Sequence, residues 1–249
     1  RPRARAPTLA AVILAASSLA GWAIIGPSAE RALYQSSIRK AGYTARPGAN
    51  TVLDAFHDLA VAGGLDPEKT HIGFEKGPEL KAASIGGHYF VVTVPVLEVQ
   101  NPCLVWGVVA HEIAHDVLGH ADRQVATSTG IGVVATAASF FFPGAGYLVQ
   151  GAGWLGLQGY SRVQEAEADA QAVALLTKAG RPPWSFAYAL QFIRDVYGDR
   201  GGSWLDSHPL TSERIASQPP VDPKVAEELC GPAALRETQV ETIRQGLSK

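Results

Sequence analysis

Val108 to Arg123 reads VVAHEIAHDVLGHADR, and inside this apolar run His111, Glu112 and His115 stand in an H-E-x-x-H arrangement. Successive residues of an α-helix turn by about 100°, so two histidines four apart lie one above the other on a single face. Imidazoles so placed grip one metal ion. Glu112 is turned about a quarter of the way round from His111, which suits a general base acting on a water at that ion better than a third ligand. Val108, Val109, Ile113, Ala114, Val117 and Leu118 make the helix a buried one, and buried imidazoles need partners. A pattern with two free positions also recurs by chance, so the rest of the chain has to supply the missing ligand.

His120 is a poor choice for it. It follows His111 by nine residues, which on a continuing helix puts it about 180° round. The glycine of the longer H-E-x-x-H-x-x-G-x-x-H pattern is Leu118 here, and the chain has no methionine for the Met-turn of that class. Residues 161–176, SRVQEAEADAQAVALL, read instead as an amphipathic helix. Glu165 and Asp169 share one of its faces, Glu167 lies nearly opposite, and the alanines allow close helix approach. Acidic groups on such a helix are either a solvated face or the partners of a buried cation, and a zinc ion is one such partner.

Composition narrows the field. The 249 residues suffice for one domain of generous size, and a net charge of -2 without a basic stripe gives no sign of a nucleic-acid partner. Cys103 and Cys230 are too few and too far apart for a zinc knuckle. They either pair or remain two buried thiols, and a bridge closing so long a loop adds about 4 kcal/mol in the chain-entropy model.

In chain order, residues 1–29 place Arg1, Arg3 and Arg5 before an uncharged apolar run, the pattern of an export signal or an N-terminal membrane anchor. The metal domain is expected over 30–249. It begins with two helices, Glu30 to Ala41 and Thr51 to Ala62, ended by Gly63 and Gly64. His57 and His71 stand apart from other ligand types and are expected to be surface or capped histidines. The run HYFVVTVPV predicts a strand over Tyr89 to Val94, and Pro95, which donates no ladder hydrogen bond, predicts that this strand lies at a sheet edge or ends there. An edge strand beside a metal helix is a place for an extended peptide to pair.

From Gln124 to Ser161 there is no charged residue, and Pro143 and Gly144 split the segment into halves too short to span a bilayer. An apolar helical hairpin insert at about 124–161 is expected, packed in the core, covering the substrate side or touching a membrane. Pro182 to Tyr197 reads as a core helix, and Pro223 to Lys249 as two polar-faced helices. His208, ahead of Pro209 and Arg214, places an imidazole on a loop before a helix.

Taken together, HEIAH at 111–115, SRVQEAEAD at 161–169 and SHPLTSERI at 207–215 resemble, in that order, the blocks of the gluzincin metallopeptidases. These include the CAAX prenyl endopeptidases, the HtpX membrane proteases and the BepA-type periplasmic proteases. The resemblance implies an α+β, predominantly helical zincin-like domain with a short edge-strand sheet beside the metal helix. It implies one Zn2+ held by His111, His115 and Glu165, with Glu112 as the base. Asp169 would then orient His111 or His115, His208 would lie near the metal as a transition-state donor or occasional fourth ligand, and Arg214 would support its loop. The run His88, Tyr89, Phe90, Val91, Val92 would be the strand on which substrate lies. Where the family often has an asparagine-alanine pair before that strand, this chain has Lys81, Ala82 and Ala83.

The activity so implied is endopeptidase hydrolysis of unfolded or extended polypeptides without a covalent enzyme intermediate, in envelope quality control, in the periplasm or at a membrane. A membrane-associated assembly or chaperone-like factor with a latent or structural zinc site is the alternative. The oligomeric state is left open.

Overall fold

The computed structural model describes residues 49–75, 78–127, 159–198, 207–209 and 212–247. The N-terminal segment 1–29, the first expected helix and most of the 124–161 insert lie outside them. Among the described residues, no helix is long and apolar enough to cross a membrane.

Helix α1 (Ala49–Ala62) turns Val52, Ala55, Phe56 and Leu59 inward at helical spacing. A three-stranded sheet follows, with β1 (His71–Glu75), β2 (Ala82–Gly86) and β3 (Tyr89–Thr93) in the order β1-β3-β2. β3 pairs parallel with β1 and antiparallel with β2. Thus the segment expected at the edge, or ended by Pro95, is central and ends at Thr93 just ahead of that proline, and β2 is the edge strand on the metal side. Pro95 does not mark a strand edge at all: it sits in the first turn of the short helix α2 (Val94–Glu98), where its missing N–H leaves nothing unpaired.

Helix α3 (Pro102–Val117) is the axis of the molecule, packed against α1, α5 (Arg162–Lys178) and α6 (Ser185–Tyr197). Asn101 caps it, accepting from the Leu104 N–H at 3.1 Å, and the buried residues from Cys103 to Asp116 leave it almost no solvent face. Gly107 permits its crossing with α6, since a Cβ there would meet the Ser185 carbonyl oxygen and lie 2.6 Å from Ala189 Cβ. α3 stops at Gly119, whose φ of +67° is a backbone state that glycine adopts freely. The chain turns and α4 (His120–Thr127) begins.

The β2–β3 turn is fastened to this corner. Gly87 N–H donates to Asp122 at 2.9 Å, while His88, at φ +64°, donates its N–H and Nδ1–H to Asp116 at 3.2 and 2.7 Å. His88 is therefore a turn residue, not part of a strand. α5 opens on a capping box in which Ser161 and Gln164 satisfy each other's backbone N–H.

After a single turn of helix α7 (Ser212–Ala216) come α8 (Pro223–Cys230) and α9 (Ala233–Leu247). These last two are the expected pair, but they are joined to the core: Ala226, Cys230, Val240 and Ile243 are buried, and Cys230 is disulfide-bonded to Cys103 with Cα atoms 5.6 Å apart.

Candidate metal centre

α3 contributes His111, Glu112 and His115, α5 contributes Glu165 and Asp169, and the loop before α7 contributes His208. All six are buried. One ligand atom from each of His111, His115, Glu165 and His208 lies within 4.8 Å of the others. His111 Nε2 is 3.0 Å from His115 Nε2 and 3.2 Å from His208 Nδ1. Glu165 offers Oε1 at 3.4 Å to His115 Nε2 and 3.0 Å to His208 Nδ1, and Oε2 at 3.5 Å to His111 Nε2.

These separations and this chemistry fit a metal ion. Two ligands each about 2.1 Å from a tetrahedral ion are roughly 3.4 Å apart. Imidazole nitrogens and a carboxylate crowded this closely inside a protein repel through their lone pairs unless a shared proton or a metal ion draws them together, and a metal ion satisfies all four at once.

The surroundings hold each ligand in place. Asp169 Oδ1 lies 3.2 Å from His111 Nδ1, so of the two histidines it is His111 that Asp169 orients. Arg214 clamps Asp169 with two hydrogen bonds of 2.7 and 2.8 Å, reaches Glu165 Oε2 at 2.7 Å and donates to the Pro209 carbonyl at 2.9 Å, which ties the His208 loop to the ligand helix. Burial would push His111 down, but Asp169 and Glu165 outweigh it and carry its pKa up to about 9. Burial, only partly opposed by Glu165, drives His115 to about 2. Burial would raise Glu165, yet His208, His111 and His115 hold it well below the usual carboxylate range.

Glu112 stands beside the cluster. Its Oε1 is 3.4 Å from His208 Nε2, and its Oε2 accepts the Ser84 N–H at 2.9 Å. Ser84 pairs with Phe90 in the sheet, and its N–H points out of the opposite side of β2, towards the site. The strand facing Glu112 is therefore β2, whose sequence AASIG carries no β signal strong enough to read, and not the run from His88 to Val92. Its edge beside Glu112 is paired with no strand among the described residues.

Two groups were not legible in the sequence. Tyr160 stacks on His115 with ring centroids 3.8 Å apart, and burial, with the charges of Glu112 and Glu165 adding to it, pushes its phenol up so that it stays protonated. His120, outside the cluster of four, turns back across Gly119 and puts Nδ1 3.0 Å from His115 Nδ1. The straight-helix geometry that placed it on the far side does not hold, because α3 has already ended. Phe186 of the core helix lies flat against His111 at 4.9 Å. Of the histidines set aside, His57 is exposed, whereas His71 is buried and stacked on Tyr89.

The model of peptidase family M48 matches residues 49–218. Metalloprotease LoiP of Escherichia coli (strain K12) is 32% identical over 114 residues, covering 43% of this chain and 44% of LoiP. The chain thus aligns with less than half the length of that relative. With the family model spanning more than half of the 249 residues and the metal cluster inside the matched region, the chain belongs to peptidase family M48.

Proposed function

We propose that this chain is a zinc-dependent endopeptidase that cleaves extended or unfolded polypeptides, with quality control of exported proteins as its setting. The observation that carries this reading is the Ser84 N–H to Glu112 hydrogen bond of 2.9 Å, which sets a strand edge that no strand among the described residues covers and a buried carboxylate side by side next to the ligand cluster. A peptide added to the outer edge of β2 would run past Glu112.

His111, His115 and Glu165 would hold the ion, which, when bound, polarises a carbonyl and makes water acidic enough to lose a proton near neutrality. Glu112 takes that proton and later delivers it to the leaving amine. His208 Nε2, beside Glu112, donates to the oxygen of the tetrahedral species. Asp169 and Arg214 keep His111 and Glu165 from turning away. The Cys103–Cys230 bond supports an oxidising compartment, and contact with a membrane is proposed for the insert at 124–161.

One observation favours a second reading. His208 Nδ1 stands at the fourth corner of the ligand set, 3.2 Å from His111 Nε2 and 3.0 Å from Glu165 Oε1, where a substrate-competent site would keep room for water. A latent site in an assembly or chaperone-like factor would look like this.

Zinc content and cleavage of a denatured, fluorescently labelled protein test both readings, using wild type, Glu112→Gln and His208→Ala. The peptidase reading expects Glu112→Gln to keep its zinc and lose roughly 100- to 10,000-fold in rate; a fully active Glu112→Gln chain would sink it. Cleavage seen only in His208→Ala would make the site latent, and cleavage in none of them would favour the binding role.

A further inference from the structure

We propose that Glu167, acting through His120, fixes His115 in the hydrogen-bonding state that turns its Nε2 lone pair towards the metal position. This rests on the metal reading above and adds to it a positioning relay that ends at the protein surface.

A neutral imidazole has one N–H and one lone pair, and an ionised carboxylate only accepts. Glu167 Oε2 lies 3.1 Å from His120 Nε2, so that nitrogen carries the proton. His120 Nδ1 is then a lone pair. It faces His115 Nδ1 across 3.0 Å, so His115 must donate there. That leaves the lone pair of His115 on Nε2, the atom 3.0 Å from His111 Nε2 and 3.4 Å from Glu165 Oε1. Had His120 carried its proton on Nδ1, His115 would carry its own on Nε2 and could not bind a cation.

The fold holds the relay in place. Gly119 ends α3 and starts α4 on His120, whose side chain is fully buried between His115 and Tyr160, at centroid distances of 5.0 and 6.1 Å. The two helix histidines are thereby oriented in unlike ways. His111 leans on Asp169, 5% exposed and forked to Arg214, whereas the chain of contacts from His115 reaches Glu167, whose side chain is 54% exposed.

The exposed end makes the test clean, because Glu167 can be changed without opening the core. In the full-length chain, Zn2+ affinity measured by competition with a chromophoric chelator should fall about 10- to 100-fold in Glu167→Lys, since an ammonium donates to His120 Nε2 and reverses the relay. Glu167→Gln, whose amide oxygen still accepts, should bind like wild type. His120→Asn, which keeps an acceptor near the Nδ1 position, should bind more tightly than His120→Phe. Thermal unfolding of metal-free Glu167→Lys should match wild type, as a merely structural account of the affinity loss would not allow.

Imidazole nitrogen NMR on the metal-free chain should show His115 protonated on Nδ1 in wild type and not in Glu167→Lys. Wild-type affinity in Glu167→Lys, or an Nε2-protonated His115 in wild type, overturns the relay. A wild-type chain that takes up no Zn2+ overturns the metal reading, and the NMR arm still decides the relay.

Discussion

Arg214 and Asp169 are joined by a fork of two hydrogen bonds, Nε to Oδ2 at 2.8 Å and Nη2 to Oδ1 at 2.7 Å, and the same guanidinium meets Glu165 at 2.7 Å. One guanidinium thus bridges two carboxylates that are almost wholly buried. Burial alone would lower the Arg214 pKa, and Asp169 with Glu165 raises it instead. Replacing Arg214 with Met should destabilise the chain by about 3 to 5 kcal/mol, the usual cost of leaving buried charge uncompensated. Denaturant unfolding of metal-free protein checks this. Arg214→Lys should recover only part of the loss, because an ammonium cannot make the fork.

Gly107 lies where α3 and α6 touch. Its substitution by Ala would drive a methyl into the Ser185 carbonyl and Ala189, both fixed by α6. A loss of about 1 to 3 kcal/mol is expected from overpacking. Since Phe186 of the same helix stacks on His111, metal affinity should drop with stability. Paired measurements of unfolding and Zn2+ binding on Gly107→Ala would show the two moving together, and an unchanged melting curve would mean that the crossing is looser than this.

The Cys103–Cys230 bond closes a sequence separation of 127 residues. In the chain-entropy model, losing it costs about 4 to 5 kcal/mol. Guanidinium unfolding with and without reductant, and of the Cys103→Ala/Cys230→Ala double variant, should give the same displacement of the midpoint towards lower denaturant.

A milder effect is expected from Asp58, whose pKa is lowered chiefly by its hydrogen bond to Arg181. The lowering means that the folded chain favours the carboxylate, so the contribution is present above the unfolded value of about 4 and is lost as pH falls through the folded value. With side chains 37% and 32% exposed, the pair contributes less than about 1 kcal/mol. Asp58→Asn should lower stability slightly at pH 7 and by less as pH falls below about 4, as read from urea midpoints across that range.

How much of this was legible in the sequence depends on whether the signal was local. His111 and His115 are paired by helix periodicity, and Glu165 with Asp169 by the same rule on a second helix, so the ligands could be named from spacing and family resemblance. The strand from Tyr89 was read, but its place at the edge was not right, because β3, with Phe90 to Thr93 all buried, is a continuous apolar run of the kind that marks a strand covered on both sides. Pro95, two residues beyond it, belongs to the next helix. The edge strand itself is built of Ala82, Ala83, Ser84 and Gly86 around one isoleucine, residues with little preference for strands. His120 was placed on the far side of the helix because a single residue, Gly119, converts a straight helix into a corner, and nothing around it announces where the ring then points.

The bond between Cys103 and Cys230 also sets what a cut in this chain looks like. Both the insert at 124–161 and the loop carrying His208 fall between the two cysteines. A scission at either place, by this molecule or another, yields two pieces that remain one covalent particle. Such a nicked form would run as intact protein on a non-reducing gel and separate only when thiol is added, so clipping of these segments would go unseen wherever reductant is left out.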